Sequence, residues 1–116
     1  MWEVEFTEEF DAWWESLTED QQDAVNGRVL VLMEEGPYLG RPIVDHIKTS
    51  RHPNMKELRA SASGNLRVLF AFDPRRQAIL LIGGNKDRAW QSWYQEFVPI
   101  ADDLYDDHLR AIADEM

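Results

Sequence analysis

The chain contains no cysteine, which excludes disulfides, thiolate-held metal and a cysteine nucleophile. It has no apolar run near the ~20 residues that cross a bilayer. Its first residues, Met1-Trp2-Glu3-Val4-Glu5, are acidic where a secretory leader is basic. A cytoplasmic location without a membrane partner is expected. Histidine is scarce, and His46, His52 and His108 show none of the spacings of a metal site, so neither metal nor cofactor is expected. There is no internal repeat and no low-complexity tract. What remains is 116 residues, 44% hydrophobic and 29% charged, the composition of one folded domain spanning residues 1–116 with no room for a second core.

Basic residues are also few, 12 Lys and Arg against 22 Asp and Glu, for a net charge of −10. That total argues against general nucleic-acid binding, because phosphate attraction supplies much of such affinity. The distribution differs from the total. Residues 41–88 carry a net +6, and the two flanks together −16. A basic centre in an acidic frame binds an anion locally while repelling nucleic acid in general. The alternative is a solvated surface whose asymmetry has no role.

Periodicity gives the elements. Glu3-Val4-Glu5-Phe6 alternates as a half-buried strand does. Thr7 is placed to cap a helix with Glu8 and Glu9 in its first turn and Phe10, Trp13, Trp14 and Leu17 along one face. Thr18-Glu19-Asp20-Gln21 has capping-box spacing, Val25, Val29, Leu32 and Met33 continue the helical period, and Gly36-Pro37 ends it. Residues 38–54 form a connector with a short strand at 43–47. Three strands follow at 55–61, 66–73 and 77–83, separated by turns short enough to force antiparallel pairing. A last helix, capped by Asn85 or Asp87, carries Trp90, Trp93, Tyr94 and Phe97, and Pro99 is expected to break or kink it before Leu104, Leu109 and Ile112. Asp102, Asp103, Asp106 and Asp107 are expected to face water. The order β-α-α-β-β-β-α predicts an α+β domain: a small antiparallel sheet with helices packed on one face, Leu58, Val68, Phe70, Leu80 and Ile82 beneath them.

The chemistry concentrates on the other face of that sheet. Alternation puts Arg59 with Glu57 and Ser61, and Arg67 opposite the bulky series Leu66, Val68, Phe70, Phe72. Arg59 and Arg67 meet across the hairpin if its loop is odd, for example residues 62–64; a two-residue loop separates them. Two like charges on one face need an anion between them, and guanidinium forks match phosphate oxygens. The competing reading pairs each arginine with Glu57 or Asp73. Lys86 and Arg88 flank the start of the last helix, where the dipole favours an anion and Gly83-Gly84 lets a ligand approach the backbone. The glycine pair is not a phosphate-loop motif, since the spacing to Lys and the following Ser/Thr are missing. His52, in a basic loop, reads either as an acid or base or, with more weight, as a surface histidine. The tryptophans, at helical spacing, read as core rather than a stacking platform, and the Tyr94 hydroxyl is placed to reach the sheet edge.

The run Met55-Lys56-Glu57-Leu58-Arg59, then Leu66-Arg67-Val68-Leu69-Phe70-Ala71-Phe72-Asp73-Pro74, then Gly83-Gly84-Asn85-Lys86, and finally Trp90, Trp93-Tyr94 and Pro99, resembles the phage-derived Gp49-like (HigB-like) toxins of the RelE/ParE toxin-antitoxin superfamily. The resemblance implies a RelE-like fold and a ribosome-dependent mRNA endoribonuclease, with an antitoxin partner carrying a helix-turn-helix DNA-binding part, and the ribosome and mRNA as further partners. It implies catalytic roles for Arg59, Arg67 and Lys86 and RNA-binding roles for Lys56, Arg88, Tyr94 and His52. Two departures accompany it: the chain is acidic where such toxins are usually basic, and Asp106-Asp107-His108 does not follow the spacing of the acid-histidine cluster of some HigB proteins. A gyrase-binding toxin of the ParE kind and a non-toxic binding module are the alternatives.

Overall fold

The computed structural model describes residues 1–88 and 90–115, with the backbone alone for residues 88 and 90. Strand β1 (Val4–Phe6) leads through Thr7 into α1 (Glu8–Glu15), and α2 (Glu19–Glu35) ends at a 3₁₀ turn, Gly36–Tyr38. Then come β2 (Val44–His46), β3 (Lys56–Ser61), β4 (Asn65–Phe72) and β5 (Ala78–Asn85), a second 3₁₀ turn (Lys86–Arg88) and α3 (Trp90–Asp114). The caps of α1 and α2 are those the sequence indicates, whereas Asn85 and Asp87, expected to cap the last helix, lie in β5 and in the 3₁₀ turn before it. Thr7 Oγ accepts from the Phe10 amide at 3.0 Å, and Thr18 and Gln21 bond reciprocally at 3.2 and 3.1 Å, which satisfies donors that the first helical turn leaves orphaned.

The α+β class and the element order agree with the sequence reading, while the layering differs. The five strands run in the order β1-β5-β4-β3-β2, and β1 pairs with β5 in parallel, so the sheet is mixed. The helices cover both faces rather than one. Phe10, Val25 and Leu32 of α1 and α2 pack with Leu58, Leu66, Val68, Phe70 and Leu80. On the opposite face Trp93, Val98, Ala101 and Tyr105 of α3 pack with Met55, Leu69, Ala71, Ile79 and Leu81. The reason lies in β4 and β5, whose near-continuous apolar runs are the pattern of strands buried on both sides; an apolar stripe on a third helix then needs the second face. A register shift beside Leu69/Phe70 pairs Leu69 with Ile82 and Phe70 with Leu80. Leu81 is the extra residue of this bulge, and it turns Ile82 to the α3 face, away from the cluster expected for it.

Two further expectations change. Pro99 neither breaks nor ends α3, which runs unbroken through it; Pro99 is exposed, so water can satisfy the carbonyl it frees, while Val98 and Ala101 keep both halves docked. Asp102 does not face water. It is 2% exposed, accepts from the Ser50 hydroxyl, and accepts from the Arg51 amide at 3.1 Å, tying the connector before β3 to the middle of α3.

Candidate functional site

The β3–β4 hairpin decides whether the two arginines meet. Its loop is residues 62–64, with Ser63 at φ 49° and Gly64 at φ 144°. This odd loop sets Arg59 directly opposite Arg67. Gly84 is the β5 partner of Arg67, and Lys86 follows two residues later, so three cations gather at one end of the sheet on the face that α3 covers. Tyr94 in the first turns of α3 closes the group: its hydroxyl donates to Glu57 Oε1 at 2.6 Å, and the Lys86 ammonium sits 5.8 Å from its ring centroid.

The anion that two facing arginines require is internal. Glu57, 4% exposed, stands two residues before Arg59 on the same face. Its carboxylate lies 3.2 Å from Arg59 Nη2 and 3.4 Å from Arg67 Nε. Asp45, opposite Glu57 on β2, takes a second contact from Arg59 Nη2 at 3.2 Å. Arg67 also donates from Nη1 to the Leu66 carbonyl at 2.9 Å. The Nε of each arginine is buried without a hydrogen-bond partner; that of Arg67 is within ion-pair range of Glu57 but misaligned for a bond. Both Nε groups are closed to solvent in this arrangement, so a phosphate reaches them only once the contacts with Glu57 open.

The surroundings bias the titrating groups. Lys86 is 6% exposed, and burial, with the nearby charge of Arg67, holds its pKa below the ordinary lysine value against the pull of Glu57. Burial first, and the Glu57 carboxylate second, push the Tyr94 phenol up to about 12, so near neutral pH it remains a donor.

Other expected site residues lie apart. Lys56 shares the opposite face with Leu58; its ammonium donates to the Pro37 carbonyl at 3.3 Å and lies 5.8 Å from the Phe72 ring centroid. His52 pairs with Asp106 at 2.7 Å and meets the Tyr105 ring edge-on. Asp106 is twelve residues beyond Tyr94 on α3, about 18 Å along the helix. The His52 bond is the largest influence holding Asp106 below its usual pKa. The side chain of Arg88 lies outside the described residues. Asp73, the other acid considered for the arginines, bonds His108 at 2.8 Å instead. The glycine pair leaves no room for a ligand over the sheet faces: a Cβ on Gly83 would run into the Trp13 ring and one on Gly84 into Trp93. Two indoles, one from each helical layer, fill the space that the sequence reading gave to a ligand.

Glu57 and Asp45 were the site residues least visible in the sequence. Glu57 shares the strand phase of Arg59, which is a signal, but its bridging position depends on the hairpin register. Asp45 depends on a three-residue strand.

The match to the phage-derived protein Gp49-like family covers residues 12–106, most of the chain. The chain belongs to the Gp49-like family. This Gp49-like chain is 46% identical over 109 residues to the Mycobacterium tuberculosis protein named "Putative toxin HigB2", covering 92% of the chain and 54% of that relative, so it spans about half the relative's length. It is 49% identical over 92 residues to "Putative toxin HigB3" of the same organism, covering 79% of the chain and 80% of the relative. Among solved structures, the isolated E. coli RelE toxin superposes with a TM-score of 0.63 at 15% identity, covering 85% of this chain and 97% of that one. A chain of the intact E. coli RelBE toxin-antitoxin complex gives 0.58 at 12% identity, covering 73% and 96%. The Gp49-like chain thus has the RelE fold.

Proposed function

We propose that this chain is the toxin of a toxin-antitoxin pair and that it cleaves mRNA on the translating ribosome, in the cytoplasm. The observation that supports this most is the cross-strand pair Arg59 and Arg67 with Lys86 on the same face. In the proposed reaction a ribose 2'-oxygen attacks the adjacent phosphorus and the bond to the 5'-oxygen breaks, leaving a 2',3'-cyclic phosphate and a 5'-hydroxyl. Charge grows on the phosphate oxygens, and fixed cations aimed at that charge are commonly the largest catalytic contribution. Arg59 and Arg67 grip the phosphate; Lys86, its proton loosened by burial, stabilises the charge or protonates the leaving oxygen. Glu57 keeps the two guanidiniums aligned until the phosphate engages them. Arg88 and Tyr94 position the RNA. Lys56 and His52, outside the cluster, are given no part. The ribosome supplies the substrate orientation that a small acidic protein does not.

The names of the relatives and the RelBE complex among the structural neighbours support a small antitoxin partner, proposed to carry a helix-turn-helix DNA-binding part. A second reading rests on Glu57: the arginines form structural ion pairs and the chain acts by binding alone, for instance to gyrase. Inducing the chain with and without its adjacent small gene while mapping RNA 5' ends separates the two. New 5'-hydroxyl ends inside translated messages within minutes support cleavage; growth arrest with DNA damage and intact messages supports binding; no arrest removes both.

A further inference from the structure

Strand β1 covers only part of the outer edge of β5. Its register runs from Val4 opposite Ala78 to Phe6 opposite Leu80, after which Thr7 takes the Leu80 and Leu81 carbonyls and the chain departs into α1. Residues 82–85 of β5 pair with β4 on the inner side and with no strand on the outer side among the described residues. The groups bonded towards β1 belong to Ala78 and Leu80. These face Phe72 and Phe70, so the alternation carried along β4 to Val68 and Leu66 turns the amides and carbonyls of Gly83 and Asn85 outward. They form the floor of an open cleft of about 530 Å³ walled by Trp13 and Glu9 of α1 and by Trp93, Glu96 and Phe97 of α3.

Unpaired strand-edge groups at the bottom of a cleft invite a partner strand. The walls say which kind. Glu9 and Trp13 are four residues apart on α1, and Glu96 and Phe97 adjoin on α3, so each face of an added strand meets an aromatic surface beside an exposed carboxylate. A guanidinium or ammonium is the side-chain end that suits both at once, by cation–π contact and ion pairing. Nucleic acid is disfavoured by the two glutamates. A second copy of this chain would bring the same carboxylates together, and its own edge offers Ile82, Gly83, Gly84 and Asn85, with no cation to answer them.

We propose that residues 82–85 are a strand-addition site for an extended basic segment of a partner polypeptide. The partner's main chain bonds Gly83 and Asn85, and two adjacent Arg or Lys side chains, which a strand turns to opposite faces, lie against Trp13 with Glu9 on one side and Phe97 with Glu96 on the other. The site lies at the edge of β5, beside rather than within the Arg59, Arg67 and Glu57 cluster, and it stands whether or not the chain cleaves RNA.

The test uses the full chain and an acetylated, amidated pentapeptide, Val-Arg-Arg-Val-Val, whose adjacent arginines point to opposite faces when extended, at millimolar concentration, with amide chemical shifts and hydrogen exchange read by NMR. Expected are shifts and slowed exchange at Gly83 and Asn85, no such change with Val-Glu-Glu-Val-Val, and at least fivefold weaker binding to each of Glu9→Lys and Glu96→Lys; Glu96→Lys leaves the melting temperature in place, and Glu9→Lys, in the first turn of α1, lowers it slightly. Loss of binding when the central residue is N-methylated marks main-chain pairing. Absence of slowed exchange at Gly83 and Asn85, binding indifferent to both charge reversals, or equal binding of the acidic peptide would each overturn the proposal.

Discussion

Replacing Arg59 with lysine keeps the charge and removes the fork, which makes it the sharpest probe of the proposed chemistry. Arg59 Nη2 bridges Asp45 and Glu57 at 3.2 Å each, and its side chain is 32% exposed. Ion pairs at that exposure are worth about 0.2–1 kcal/mol. At roughly 4–8 °C per kcal/mol for a domain near this size, the melting temperature should fall by about 1–8 °C. Losing a donor aimed at a transition-state oxygen costs ~10²–10³ in rate, roughly 3–4 kcal/mol. The two magnitudes are far enough apart to separate a catalytic arginine from a structural one. Arg67→Lys is a less clean probe: its side chain is only 9% exposed beside the equally buried Glu57, and it donates to the Leu66 carbonyl. Disturbing it should cost a further ~1–3 kcal/mol of stability, so lost activity there has two explanations. Arg75, paired with Glu115 at the surface, is the control, and Arg75→Lys should change neither property. The assays are growth after induction, cleavage of message in a reconstituted translation system, and a thermal melt. If Arg59→Lys cleaves message and arrests growth at the wild-type rate, the arginines are structural ion pairs and the catalytic assignment is wrong.

Gly83→Ala pushes a methyl into the Trp13 ring; overpacking at ~1–3 kcal/mol, less ~0.4–1 kcal/mol gained by stiffening the unfolded chain, leaves a net loss of about 0.5–2 kcal/mol in a denaturant melt. Gly27→Ala, in α2 with open space around it, should instead gain ~0.5–1 kcal/mol, and equal effects at the two sites would disprove the packing argument. The Lys86 ammonium, followed by NMR, should titrate below 10.5, and Arg59→Gln should move the midpoint up by removing a neighbouring positive charge. Because the folded pKa is the lower one, the unfolded chain holds that proton to higher pH, so this group's contribution to stability rises with pH through the window just below 10.5; a midpoint at or above 10.5 contradicts the burial argument. Asp102→Ala should strand the Ser50 hydroxyl and Arg51 amide at a cost of ~1–3 kcal/mol, seen as faster exchange of the Arg51 amide, and unchanged exchange would deny the tether.

The features readable in the sequence were those encoded locally. Both N-caps, the stop at Gly36, and the face shared by Glu57 and Arg59 depend on residues a few positions apart, where steric and hydrogen-bonding rules act directly. The features misread depend on what lies across the sheet. The burial of β4 on both faces was present in Leu66-Arg67-Val68-Leu69-Phe70-Ala71-Phe72, but alternation alone assigned Leu69 and Ala71 to an open face. The bulge at Leu81 has no mark of its own in an apolar run, so Ile82 was placed one face away. Asp102 reads as one more acid on an acidic helix; only the connector folding back, with Ser50 and Arg51 reaching it, makes it structural. At the candidate site, the convergence of Arg59 and Arg67 hung on whether the hairpin loop held two residues or three, and the loop residues Ser63 and Gly64, both at positive φ, settled it.

Net charge and site charge are separate quantities in this molecule. Around the proposed phosphate position stand Arg59, Arg67 and Lys86 against Glu57 and Asp45, a balance close to neutral with one cation in excess. The acids of α1 and α2 are exposed on the far side of the sheet, where water and salt surround them and weaken their field at the site. They therefore weigh little on a phosphate held between the arginines, but they do act on a polyanion approaching from solution, which meets the −10 of the whole chain. An excess of one cation is a poor device for capturing RNA and an adequate one for stabilising charge on a phosphate delivered by another body. That division of labour fits the proposed cleavage on the ribosome: in that proposal the ribosome supplies binding and orientation, and the protein supplies a cluster whose guanidiniums are pre-set by Glu57. Adding surface lysines to α2 should therefore raise affinity for naked RNA without raising the rate of cleavage within a programmed ribosome, because encounter and transition-state stabilisation are carried by different charges.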